Sequence, residues 1–188
     1  MRTVLLKGPI LSRSGYGEHA RSVFRALQSR PDLYDIYIEP TIWGKTPWSH
    51  TVSEENKEIF ACINKRQQFR GVFNLSLQVM IPNEWTNIAE KNIGVTAGIE
   101  TDLASETWVQ FCKDIDHVIV VSNHAKNVFL NSVYKDKVPV ANGQMMDLKL
   151  EPEEIDVIGY PVKNKDCEDM GLELKTDFNF LTVAQSGP

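Results

Sequence analysis

Short apolar runs alternate with stretches in which apolar residues recur at helical spacing. Thr3-Val4-Leu5-Leu6 is β-branched and apolar, which predicts a buried strand closed by Gly8-Pro9. A loop from Ile10 to Ser14 leads into Gly15-Tyr16-Gly17. Ala20, Val23, Phe24 and Leu27 then line one side of a helix, with Arg21, Arg25 and Gln28 on the other. Pro31 stops it, and Tyr34 to Glu39 alternates as a second strand up to Pro40. Residues 41–52 hold Trp43, Trp48 and His50 and read as a loop. Ser53, followed by Glu54 and Glu55, has the chemistry of a helix N-cap, for a helix running to about Phe69.

Val72 to Ile81 and Lys91 to Ile99 predict two further strands, and Thr107 to Ile115 a helix. His117 to Val121 reads as a strand, after which Ser122 caps a helix whose face is Ala125, Val128 and Phe129. Lys135 to Glu154, with Pro139, Asn142-Gly143 and Pro152, predicts an insertion or a hairpin. Asp156 to Tyr160 is one more short strand, ended by Pro161. Apolar strands alternating with amphipathic helices specify an α/β protein. The expected fold is Rossmann-like: an open, mainly parallel sheet with helices on both faces. Residues 1–162 form this domain. Residues 163–188 are expected to be a linker (Lys163 to Asp177) and the first strand (Phe178 to Ala184) of a truncated second domain.

Composition narrows the function. The chain has 188 residues, 42% hydrophobic and 24% charged, which suits a soluble globular domain. Its net charge of -5 argues against sequence-independent binding to nucleic acid. Three widely spaced cysteines, Cys62, Cys112 and Cys167, argue against a disulfide scaffold or a structural zinc site. They fit a reducing, cytoplasmic setting. No signal peptide or transmembrane segment is expected, because no apolar run nears the ~20 residues that span a bilayer. Asn74-Leu75-Ser76 matches the glycosylation pattern by chance, since it falls in a strand.

Gly15-Tyr16-Gly17-Glu18-His19-Ala20 fits the dinucleotide pattern G-x-G-x-x-G/A, and Glu39 stands where an acidic ribose binder is expected. Against that reading, Gly8 to Ser14 separate the strand from Gly15, too long for the tight turn over a pyrophosphate. Such a loop is better suited to reach across a cleft. The amides of Tyr16 to Glu18 still favour an anion, with Arg13 and Arg21 to add charge. A plain helix start without a ligand stays open beside this.

Two other strand ends carry chemistry. Gly94 to Asp102 leaves the carboxyl end of a strand, the edge where open α/β sheets bind ligands. Glu100 is placed there to bind a hydroxyl or act as a base, with Thr101 beside it, while Asp102 is expected to cap the next helix. At the second, Val118 to Lys126, Ser122 or Asn123 caps a helix, and His124 and Lys126 can meet a phosphate or sugar. For Ser122 capping alone, and for Lys126 a solvated face, are equally available. Trp43, Trp48 and Trp85 fall in loops, placed to stack on a sugar or simply to pack.

Together these motifs resemble the N-terminal domain of a family 4 (group 1) glycosyltransferase, built from two Rossmann-like domains facing a cleft. The resemblance rests on Ser14-Gly15-Tyr16-Gly17 with Arg21, on Ala97 to Asp102 followed by Glu106-Thr107-Trp108, and on Val118 to Lys126. It extends to Ile158-Gly159-Tyr160-Pro161-Val162 and to Phe180 to Ala184, where the family's second domain opens. It implies transfer of a sugar from a nucleotide-sugar donor to a carbohydrate or other hydroxyl acceptor, with retention and without a required metal or further cofactor. The loop from Gly15 to Gly17 would approach the donor diphosphate, Glu100 would line the cleft, and Ser122 to Lys126 would lie near its opening. Family members often carry a cleft histidine where this chain reads Gly98-Ile99-Glu100. The family's donor-binding cations and paired glutamates belong to the second domain and are absent from this chain.

The resemblance therefore implies a fragment inactive by itself, with Glu100 as the acceptor contact or base. Self-association into a homodimer, and a peripheral position at the inner membrane face, are compatible with it. The alternatives are an NAD(P)-dependent oxidoreductase domain and a non-enzymatic α/β binding domain.

Overall fold

A computed structural model describes residues 1–48, 53–139 and 144–162, together with Gly171, Thr176 and Phe178. His50, Asn142-Gly143, Cys167 and nearly all of the expected linker and terminal strand lie outside the described residues.

The strands are β1 (Arg2–Gly8), β2 (Tyr34–Pro40), β3 (Phe73–Val79), β4 (Ala89–Thr96), β5 (His117–Val120), β6 (Tyr134–Pro139), β7 (Met145–Leu148) and β8 (Ile155–Val157). The helices are α1 (Gly15–Gln28), α2 (Glu54–Gln68), α3 (Glu106–Lys113) and α4 (Asn123–Asn131). Six strands form one sheet in the order β2-β1-β3-β4-β5-β8. Every pairing in it is parallel, so this is a Rossmann-like α/β fold. β6 and β7 pair antiparallel, which makes the region after α4 a hairpin.

Alternation along β1 assigns the two faces. Val4 and Leu6 point to one side and pack with Ala20, Phe24 and Leu27 of α1. Leu5 points to the other and meets Tyr37, Phe69 and Phe73. Ile59 of α2 joins the α1 side, while Phe69 at its end stacks on Phe73, so α2 passes round the β2 edge. α3 and α4 pack Val109, Cys112, Ala125 and Phe129 against Val118, Val120 and Ile155, the face opposite α1.

Among the described residues a serine caps each of the four α-helices. Ser14, Ser53, Ser105 and Ser122 accept from the amides of Gly17, Asn56, Trp108 and Ala125. Asp102 therefore does not cap α3: the helix begins four residues later, at Glu106, and Ser105 is the cap. Of the two uses expected for Trp85, which does lie between elements, the structure shows packing. It is 3% exposed, donates from Nε1 to the Gln78 carbonyl at 3.1 Å, and lies so close to β4 that a Cβ on Gly94 would meet its ring at 2.6 Å. The last strand is also shorter than its apolar run. It spans Ile155–Val157, and after one more bond, Ile158 N–H to the Val120 carbonyl, the chain leaves the sheet with Ile158 and Tyr160 exposed. Asn74 in β3 accepts from the amide and hydroxyl of Thr3, both at 3.1 Å, a structural use of its side chain.

Candidate functional site

The strand order reverses around β1, which has β2 on one side and β3 on the other. Outside the carboxyl ends of such strands an open α/β sheet forms its ligand crevice. The loop after β1 and the turn after β4 meet at this edge.

The loop after β1 is built tightly. Ser12 is fully buried, and its hydroxyl lies 3.0 Å from Ser14 Oγ and 2.6 Å from Thr46 Oγ1. The Arg13 amide donates to the Pro47 carbonyl at 3.0 Å, so residues 41–48 buttress the loop. Arg21 braces it from behind, with Nη1 donating to the carbonyls of Ile10 at 2.6 Å and Ser12 at 3.0 Å. Its Nε pairs with Glu18 at 2.9 Å. Arg21 thus holds the loop's shape rather than standing free for a phosphate. Burial works to raise the Glu18 carboxyl, but hydrogen bonds from Arg25 and Arg21 outweigh it and hold the group below the ordinary carboxylate value.

The two glycines differ. A Cβ on Gly15 would meet nothing within 4 Å, whereas one on Gly17 would lie 2.1 Å from the Ser12 carbonyl oxygen. Gly17 is required by packing, and Gly15 leaves an open approach to the first turn of α1. The first amides of a helix have no intrahelical acceptor, and here Ser14 Oγ takes the one from Gly17.

Tyr16 joins this loop to β4. Its hydroxyl lies 2.9 Å from Thr96 Oγ1 and accepts from the Ala97 amide at 3.2 Å. Trp43 covers it, ring centroids 4.4 Å apart. Burial pushes the Tyr16 hydroxyl above its ordinary pKa, and the bonds to Thr96 and Ala97 offset part of that rise. These contacts were hidden in the sequence, because Thr96 lies 80 residues from Tyr16. No local pattern signals such a pair.

The β4 turn needs glycine at 98. Gly98 has φ of +84°, and a Cβ there would approach Ala125 Cβ to 2.6 Å. This fixes the turn against Ala125 in the first turn of α4, the helix that Ser122 caps. Glu100 follows on the exposed rim, with Thr101 donating to the Leu103 carbonyl at 3.0 Å. Asn123 and His124 are exposed at the first turn of α4. Lys126 turns away, donating to the carbonyls of Pro152 at 3.1 Å and Ile155 at 2.6 Å, where it ties α4 to β8. Gly15, Tyr16, Gly17, Glu100, Thr101, Ser122, Asn123 and His124 therefore share one sheet edge, while Arg21 and Lys126 serve the scaffold.

Behind this edge, His19 is 6% exposed and its Nδ1 has no hydrogen-bond partner. Tyr160 sits edge-on to it, centroids 4.8 Å apart. Among the described residues no three His, Cys, Asp or Glu side chains converge as a metal would need. Nor is any helix there long and apolar enough to cross a membrane. No protein-family model, curated protein or solved structure matches this chain.

Proposed function

We propose that residues 1–162 are the acceptor-side domain of a retaining-type glycosyltransferase that uses a nucleotide-sugar donor. One observation carries the reading. The open first turn of α1 stands at the strand carboxyl ends and is tied through Tyr16 to the turn that bears Glu100. That edge offers backbone donors for a diphosphate, the Trp43–Tyr16 pair as an aromatic surface for a ring, and a carboxylate for an acceptor hydroxyl. Donor charge is carried mostly by a second domain facing this edge, so the 188-residue chain is expected to transfer sugar negligibly. Robust turnover by it would overturn the two-domain assignment.

The oxidoreductase reading is disfavoured on two counts. Six residues, 9–14, separate β1 from α1, where a dinucleotide fold makes a tight turn. Glu39, its expected ribose binder, is paired with Arg66 at 3.0 Å. Titrating the labelled chain with a nucleoside diphosphate sugar, and separately with NAD, tests both. Amide shifts at Gly15, Tyr16 and Gly98 are expected with the sugar nucleotide alone. Shifts with NAD alone, or with neither, would reject the proposal.

Glu100 is the proposed acceptor contact or base. In a chain carrying both domains, Glu100→Gln is expected to lower kcat about a hundredfold while the donor KM stays close to that of the parent. An unchanged rate would remove Glu100 from the chemistry. A cytoplasmic location, peripheral at most, fits the free thiols of Cys62 and Cys112.

A further inference from the structure

A parallel sheet is ordinarily covered on both faces. Here α3 and α4 cover one face along β5 and β8, but α1 covers only part of the other. Beside α1 lies a groove of about 650 Å³. Val95 and Ile119 form its floor, Val23 and Ala26 one wall, and Ile158 and Pro161 the opposite rim. It follows α1 from His19 to Leu27, about 12 Å of helix, and reaches Tyr34 at the amino end of β2. The groove therefore runs down the sheet face, away from the edge that bears Gly15 and Glu100.

A hollow of this size, with apolar walls and few polar groups, has the character of a small-molecule site. Two polar side chains in its lining say which kind. The first is His19, 6% exposed, whose Nδ1 is buried and makes no hydrogen bond. A buried nitrogen without a partner costs stability, and a ligand that bonds it recovers that cost. With Nδ1 unbonded, no hydrogen bond there holds the ring against a turn about Cβ–Cγ that presents this nitrogen to the groove. The second is Arg25, whose guanidinium lies 2.5 Å from Glu55 and 2.7 Å from Glu18. Its charge is answered within the protein and calls for no anion. Burial keeps the imidazole of His19 neutral, with its pKa down to about 4. A neutral imidazole has one donor and one acceptor nitrogen, and a hydroxyl can serve either.

We propose that the groove beside α1 binds an elongated, uncharged apolar alcohol, with its hydrocarbon part on Val23, Val95 and Ile119 and its hydroxyl on the imidazole of His19. The same walls exclude an ionic ligand. A carboxylate there would give up its water with no free cation among the lining residues in exchange. The site goes beyond the sugar-transfer reading and shares no residue with it, so either can fail alone.

Titrating the full 188-residue chain with 1-octanol, followed by methyl NMR, tests it. Saturable shifts at Val23, Val95 and Ile119 are expected, with octanoate binding at least tenfold more weakly. His19→Leu keeps the wall apolar but removes the hydrogen bond, and is expected to weaken 1-octanol about tenfold. His19→Phe, which keeps a ring in place, is expected to give the same loss. Ala26→Trp, at an exposed position in the wall, fills the groove from outside the core and is expected to abolish saturable binding. Shifts that do not saturate, an affinity unchanged in both His19 variants, or octanoate bound as tightly as 1-octanol would each overturn the proposal. Saturable binding retained in Ala26→Trp would overturn it too, by placing the alcohol elsewhere.

Discussion

Replacing Gly17 by alanine is expected to cost about 3 kcal/mol of folding stability, the upper part of the range for overpacking a well-filled site. The new Cβ would lie 2.1 Å from the Ser12 carbonyl oxygen and 3.0 Å from that of Pro9. Neither neighbour can swing aside as a side-chain tip would. The Ser12 carbonyl accepts from Arg21 and the Pro9 carbonyl from the Ser12 amide, while the Ser12 hydroxyl is locked to Ser14 and Thr46. Moving the loop would therefore break several bonds together. For a domain of this size the loss corresponds to a fall of about 10 °C in Tm. Gly15→Ala is the matched control. It meets open space, and at the first position of a helix alanine is expected to change stability by no more than about 0.5 kcal/mol. Thermal unfolding of the two variants separates the roles. Equal stability of both would mean that the loop does not pack as described. If Gly15→Ala keeps its stability yet loses the amide shifts caused by a sugar nucleotide, Gly15 serves ligand approach and Gly17 serves the fold.

The difference in packing between Gly15 and Gly17 was not legible in the sequence, where the two glycines look alike. What the sequence carried was periodic. Strands β1 and β5 appear as short apolar runs, β2 and β4 show through alternation, and α1 and α4 show their packed stripe directly. Caps at Ser53 and Ser122 were readable because a capping serine acts within three residues. The α3 cap was misplaced at Asp102 because the turn before the helix offers several residues of capping chemistry, of which Ser105 is the one whose hydroxyl takes the Trp108 amide.

Long-range partners were invisible. Arg21 and Lys126 had the look of cations waiting for a phosphate. Lys126 meets carbonyls 26 and 29 residues away, and no spacing rule anticipates that. Trp85 lies between the 3₁₀ turn Pro82–Glu84 and β4, where a sequence shows only a loop, yet glycine at 94 opens the space that takes its ring. The candidate site was legible as three strand ends. The Tyr16–Thr96 bond that joins two of them was not.

The other large effect is one of pH. Burial pushes the imidazole of His19 down to about 4, from about 6.5 in an unfolded chain. Between these values the unfolded chain binds a proton that the folded chain refuses, so acidification favours unfolding. The stabilising contribution is complete above pH 6.5, declines as the pH falls towards 4, and changes no further below that. The full difference amounts to about 3 kcal/mol at 1.36 kcal/mol per unit. Burial of the ring is the cause that sets this sign. Its nearest aromatic neighbour is the edge of Tyr160, and Nδ1 has no partner that would hold a proton in place. His19→Leu isolates the effect. It keeps an apolar side chain in α1 and removes a buried nitrogen that makes no bond, so at pH 7.5 it is expected to be at least as stable as the parent. Carboxylates such as Glu18 and Asp35, held low by their cationic partners, lose their contribution in both proteins as they are protonated and so cancel in the comparison. Urea unfolding of both chains from pH 7.5 to 4.5 should therefore give lines that diverge below about pH 6.5, with the parent falling faster. Parallel lines would mean that the imidazole takes up its proton in the folded state. That would require water or an acceptor beside Nδ1, and hence a groove wall beside α1 that is wetter than its apolar lining implies.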